Sequence, residues 1–249
     1  MIAANPSRLQ TVYGIAGVLG PYSGHLNNGG DSVKLKDAGG STVDSVNYSN
    51  NFPWAISADS MGASESFTNV PPVQYKGRSL QRVSVTASSN DPANWVAVRP
   101  ALGATPFADL PTPGAANIVS RAVPKPVIVA YSFFQSVDDA AIIRANNQVR
   151  VNCTFSATTG LSGVSVEYFV DLVNSTSETR STVAMTESPA GSGIYSVLLP
   201  GQADRSVVRF RFKANRGDGV EAVSPRADDP AIVPVADNGT NHGREAWYA

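Results

Sequence analysis

The chain has 249 residues, with 19 Lys and Arg against 20 Asp and Glu, for a formal net charge of −1. That balance provides no overall electrostatic drive toward nucleic acid or anionic lipid, which ordinarily shows as a basic surplus, so nucleic acid is not an expected partner. One cysteine, Cys153, excludes an intrachain disulfide and a multi-cysteine zinc site, and no apolar run reaches the ~18 residues of a transmembrane segment.

Charged residues make up 16% of the chain, below the ~25% usual in soluble domains. Ser, Thr, Asn, Gly and Pro take their place, which suits many short strands joined by turns. The length allows two domains of ordinary size, each with its own core.

In chain order, Asn5-Pro6 opens one short helix. Asn5 is a good cap, Pro6 fits the first turn and Gly14 stops it. Leu9, Val12 and Tyr13 then form an apolar stripe that predicts a lid or connector lying on a sheet. Residues 26–54 read as a β-hairpin. Two alternating runs, 32–36 and 42–48, flank Asp37-Ala38-Gly39-Gly40, whose glycines can take the positive φ of a tight connection. Val33 and Leu35 fall on one face and Lys34 and Lys36 on the other, which predicts a half-buried strand.

After the hairpin, Pro53, Pro71 and Pro72 interrupt regular structure. Residues 79–87 resume as a weaker strand around Leu80, Val83 and Val85, residues 95–98 form a further apolar segment, and 100–117 read as loop. Pro111-Thr112-Pro113-Gly114 and then Pro124-Lys125-Pro126 mark the end of one domain and a stiff linker. Beyond it, residues 127–133, 149–156, 164–171, 182–186, 194–199, 207–214 and 220–223 are seven strand candidates. Their spacing predicts an immunoglobulin-like or fibronectin-type sandwich, with the Val164 and Val208 strands supplying much of the core.

The first half also resembles the lamin tail domain in its bacterial, extracellular form. The residues that carry this are Ala4-Asn5-Pro6, Gly20-Pro21-Tyr22-Ser23-Gly24, Leu26-Asn27-Asn28-Gly29-Gly30-Asp31, Val43-Asp44-Ser45-Val46-Asn47-Tyr48 and Pro53-Trp54. The match resumes at Gly77-Arg78-Ser79-Leu80-Gln81-Arg82, Asn90-Asp91-Pro92-Ala93-Asn94-Trp95 and Pro111-Thr112-Pro113-Gly114-Ala115-Ala116-Asn117. The resemblance implies an immunoglobulin-like β-sandwich whose opening strands precede Ala3, so the chain is expected to be an internal or amino-truncated piece of a larger protein, its export signal missing. It also implies that a spore-coat-type kinase-like domain can follow the carboxyl end.

His25 and His242 sit in Gly- and Asn-rich surroundings without a partner motif, so both read as solvated or capping rather than catalytic. No G-x-S-x-G, H-E-x-x-H or Walker loop occurs. Asp138-Asp139, Asp228-Asp229 and Asp237 are candidate calcium carboxylates that no twelve-residue loop pattern organises. Trp54, Trp95, Tyr22 and Tyr75 could build a sugar platform, although tryptophan in a sandwich more often fills the core. Arg209, Arg211 and Lys213 form a basic row that reads as an ordinary solvated face or a site for an acidic polymer. Asn47, Asn152, Asn174 and Asn238 head formal glycosylation acceptors, as chance predicts in so Ser- and Thr-rich a chain. Cys153 falls in phase with the apolar members of its strand, so it is expected to be buried.

The reading is an all-β chain of two tandem immunoglobulin-like sandwiches, the first lacking its amino-terminal strands. Its parts are residues 1–118, a linker at 119–126, a second sandwich at 127–226, and a tail or the start of a further domain at 227–249. The expected function is a non-catalytic structural and binding module of a bacterial extracellular or cell-surface protein. No catalytic, cofactor or metal residues are expected, and the partners are neighbouring domains and cell-surface protein or glycan. The alternative is an accessory region of an enzyme whose kinase-like domain lies beyond the carboxyl end.

Overall fold

The computed structural model describes residues 1–27, 29–55, 80–97, 112–138, 142–171 and 178–224. It divides into two compact units, Met1–Pro124 and Lys125–Ala249. Strands dominate, in small antiparallel sheets, and the described residues contain one α-helix.

In the first unit, α1 (Pro6–Tyr13) forms where its caps predict. The Asn5 side chain accepts from the Arg8 N–H at 2.9 Å, and Gly14 ends the helix at φ 70°, donating its N–H to the Gln10 carbonyl. The predicted lid is not found. No residue of α1 is buried, and Val12 and Tyr13 are exposed, because no described element covers the stripe.

The hairpin pairs β1 (Gly30–Lys36) with β2 (Thr42–Ser49), Val33 opposite Val46 and Leu35 opposite Asp44. Of the two turn glycines only Gly40 takes positive φ, at 85°. The half-buried face is a correction: Val33 is 42% exposed and Leu35 51%, and β1 has β2 as its only paired neighbour among the described residues. Alternation fixes which side chains share a face, but burial needs a second layer.

A second pair joins β3 (Leu80–Arg82) to β4 (Trp95–Ala97). The longer strand expected over 79–87 stops at Arg82 for a physical reason. The Arg82 guanidinium bonds the Ser84 and Ala87 carbonyls at 3.0 and 2.9 Å, and the buried Asn94 amide bonds those of Ser84 and Ser88 at 2.8 and 3.0 Å. Side chains therefore take the backbone acceptors that a neighbouring strand would use, and the chain curls around them. Part of the expected linker is bound as well. Arg121 donates its N–H to the Val83 carbonyl at 3.0 Å, and Ser84 Oγ donates to the Ala122 carbonyl at 2.9 Å. Among the described residues this unit shows two strand pairs and no pair of packed sheets.

The second unit follows the seven-strand pattern closely. One sheet has the order β5 (Val127–Gln135), β6 (Val149–Ser156), β10 (Ile194–Leu199), β9 (Thr186–Glu187). The other runs β12 (Glu221–Ser224), β11 (Val207–Arg216), β7 (Leu161–Asp171), β8 (Ser181–Ala184). The run expected at 182–186 divides between them at Met185. Its N–H bonds Val164 of β7 at 2.8 Å while its sulfur lies 3.8 Å from Cys153 of β6, so one residue hands the chain from sheet to sheet.

Both sheets bury one face in a shared core. Ile128, Val151, Cys153, Phe155 and Leu199 come from the first, and Val164, Val166, Phe210, Phe212 and Ala214 from the second. The period-two pattern read from the Val164 and Val208 strands is thus the inward face of β7 and β11.

Candidate binding site

One end of the second unit is built around a cavity of about 250 Å³. Its floor is the open end of the core, with Phe133, Val149, Val151, Leu199, Val208 and Phe210 lining it. β12 pairs with Phe212–Asn215 of β11, and the cavity lies beside the preceding residues Val208 and Phe210. Phe133 on the edge strand β5 stays 38% exposed there, its ring edge-on to Phe210 at 6.1 Å.

Two loop segments, around residues 143–147 and 200–206, wall the cavity and are bonded to each other. The Asn146 N–H donates to the Gln202 carbonyl at 2.7 Å, and Gly201 packs so closely on Asn146 that any Cβ would overlap the Asn146 backbone. Gln135, 1% exposed, ties the base of the same loops. Its Oε1 accepts from Arg144 N at 3.2 Å and Asn147 Nδ2 at 3.0 Å, and its Nε2 donates to Asp138 at 2.8 Å. Asn146 and Arg205 hold positive φ, 63° and 62°, a region Asn enters readily and one costly for Arg. At the mouth stand Arg144, Asp204 and Arg205. Arg144 reaches Asp138 at 3.2 Å, and Arg205 reaches Asp204 only at 3.8 Å with both side chains well exposed.

The basic row lies on the outer face of the other sheet, and it is not simply solvated. Arg209 pairs with Asp171 at 2.5 Å, while Glu167 draws Arg211 at 2.8 Å, Lys213 at 2.5 Å and Arg180 at 3.7 Å. Burial pushes the Glu167 carboxyl up, but the bonds from Lys213 and Arg211 outweigh it and hold it below the usual range. Phe169 beside it is 1% exposed, with the Arg180 guanidinium 5.7 Å from its ring centre. A row of cations spaced every second residue is legible in sequence. That the neighbouring strand places Glu167 directly opposite Arg211, and Asp171 diagonal to Arg209, is set by register.

The first unit holds a polar latch. Asp44 of the hairpin accepts from Arg82 at 2.8 Å and from Ser89, and the Ser89 hydroxyl also reaches the Ser45 carbonyl at 2.7 Å. The Ser89 bond first and then Arg82 lower the Asp44 carboxyl below its ordinary value. This network fastens β2 to the loop between β3 and β4. Its serine faces a carboxylate that is itself bound by Arg82 rather than an imidazole free to take a proton, so it is an anchor.

The remaining sequence candidates disperse. Trp54 is 7% exposed and packs at a tilt against Trp95, ring centres 6.5 Å apart, and Trp95 Nε1 donates to the Ser89 carbonyl at 2.7 Å, so both are packing residues rather than a sugar platform. Tyr22 is exposed, and Tyr75 lies outside the described residues. His25 is exposed, and His242 lies outside the described residues. Asp138 serves the Gln135 loop, whereas Asp139, Asp228, Asp229 and Asp237 lie outside the described residues. Asn47 is exposed and Asn152 half-buried, while Asn174 and Asn238 also fall outside. Cys153 is 1% exposed, and burial pushes its thiol up to about 12. Among the described residues no group of three or more His, Cys, Asp or Glu could hold a metal, and no helix is long and apolar enough to cross a membrane.

Sequence reasoning missed the cavity. Gln135, Arg144 and Arg205 carry no motif, and positive φ at Arg205 has no signature in the sequence, whereas Asn146 is of a type that enters that region readily. Gly201 after Pro200 was the one local sign of a tight approach.

No family model and no curated protein matches the chain. Among solved structures, the crystal structure of a Br derivative of BhCBM56 is similar at 14% identity and TM-score 0.27, over 42% of this chain and 89% of that one. A likeness of that size carries no argument about function.

Proposed function

We propose that the chain is a non-catalytic structural and binding module of a bacterial extracellular or cell-surface protein, with a lamin-tail-like first domain and an immunoglobulin- or fibronectin-type second domain. The observation that carries this is the second unit's build: two four-stranded sheets closed on one core, with loops gathered at one end around an open cavity. Rigid strands that hold loops in place are the usual scaffold of recognition. Supporting the immunoglobulin-type reading, the strand order splits into β5-β6-β10-β9 and β12-β11-β7-β8, with the crossover at Met185. The carboxylates Asp44, Glu167 and Asp171 each hold an arginine or lysine, which spends them on architecture rather than proton transfer.

The test is retention of the purified chain on cell-envelope fractions of the organism that encodes it, measured by co-sedimentation over a range of concentrations. Saturable retention is expected. Retention that stays proportional to concentration, or none, overturns the binding role.

A further inference from the structure

We propose that the end cavity of the second unit binds a small organic carboxylate, its apolar body seated against Phe133, Val149, Leu199 and Val208 and its carboxylate held at the mouth by Arg205 and Arg144. This deepens the reading of the unit as a binding module and rests on it.

Three observations converge on this ligand class. The floor is the side of a hydrophobic core, and the space of about 250 Å³ exceeds what a single water needs and admits a phenyl ring with a short chain. A body of that kind gains by leaving water against Val149, Val151 and Leu199, while the polar lining residues Asn147, Gln202 and Ser206 stand on the loops.

The mouth is cationic. Arg144 and Arg205 line it against one carboxylate, Asp204. Arg205 is 93% exposed at its side chain and meets Asp204 at no better than 3.8 Å, so its planar donor fork is open to a better acceptor. Arg144 uses one terminal nitrogen on Asp138 and keeps other donors. A carboxylate matches a guanidinium with two parallel bonds, which gives orientation as well as attraction.

The third observation is strain. Among the described residues, the non-glycine positions with positive φ are Asn146, Ala157 and Arg205, and two of these belong to the loops that wall this cavity. Arg205 adopts that backbone where glycine would do so without cost. The Asn146–Gln202 bond and the close seat of Gly201 hold the loops in that arrangement, so the mouth is formed before any ligand arrives.

The experiment titrates the full chain with 4-phenylbutyrate and, separately, with the neutral 4-phenylbutan-1-ol, following amide shifts by NMR. Saturable shifts at the cavity loops and at Val149 and Val208 are expected, with the acid binding roughly tenfold more tightly than the alcohol. Arg205→Gly relieves the positive φ and is expected to lose roughly that tenfold preference for acid over alcohol, with its fold checked by the amide spectrum. Arg144→Gln is expected to weaken the acid in the same direction. Absence of saturable shifts, shifts centred elsewhere, equal affinity for acid and alcohol, or an unchanged preference in Arg205→Gly overturns the proposal. Envelope retention without carboxylate binding sinks this inference alone. Loss of both sinks the module reading as well.

Discussion

Replacing Glu167 by Gln keeps the side chain's shape and removes the charge around which Arg211, Lys213 and Arg180 gather. The Glu167 side chain is 9% exposed, against 15% for Arg211, 25% for Lys213 and 40% for Arg180. Arg180, at 3.7 Å and well solvated, contributes little. Arg211 and Lys213 are left facing each other across a neutral amide. Breaking a fully buried pair costs about 3–5 kcal/mol; the partial exposure of both cations cuts this to about 2 kcal/mol. The assay is urea unfolding followed by far-UV circular dichroism at pH 7. At high salt, where screening shortens to about 3 Å near 1 M, cation repulsion fades and the deficit shrinks.

The same variant fixes a pH dependence. Because the folded Glu167 carboxyl lies below its ordinary value, its contribution is complete above the unfolded pKa and is lost as pH falls through the folded one. Wild type and Glu167→Gln therefore converge in acid. A variant within about 0.5 kcal/mol of wild type at neutral pH, and insensitive to salt, would refute the reasoning.

Asn94→Ala should cost about 3 kcal/mol, because it strips partners from the Ser84 N–H and the Ser84 and Ser88 carbonyls beside a fully buried position. Hydrogen exchange at the Ser84 amide reads it directly, and unchanged protection would contradict the role given to the Asn94 side chain. Asp44→Asn should destabilise at neutral pH, with the gap to wild type closing as acid protonates a carboxyl that Ser89 and Arg82 hold below its ordinary value. A gap independent of pH in chemical denaturation would show that the charge is not what fastens the hairpin. Cys153, with its thiol near 12 and 1% exposed, should label with a thiol reagent at pH 8 only as fast as the second unit opens. Labelling at the rate of a free thiol would refute its burial.

The strands of the second unit were legible because their signal is local. A period of two in Val164, Val166 and Tyr168, or Phe210, Phe212 and Ala214, both forms a strand and names its inner face. The α1 caps were legible for the same reason, since Asn5 and Gly14 act within one turn of the helix. Where the reading failed, the deciding partner was distant in sequence. The strand expected over 79–87 ended early because Arg82 and Asn94 took its carbonyls, and Val33 and Leu35 stayed exposed because a face needs a second layer.

The sequence by itself determined a chain dominated by strands, the positions of the second unit's strands and the inward phase of its core. Tertiary structure alone decided that Met185 changes sheets, that Glu167 gathers the basic row, and that Asn146, Gly201 and Arg205 meet around a cavity. Hydrophobic period is written along a single strand, whereas register, loop closure and charge pairing depend on residues that become neighbours only when the sheets close.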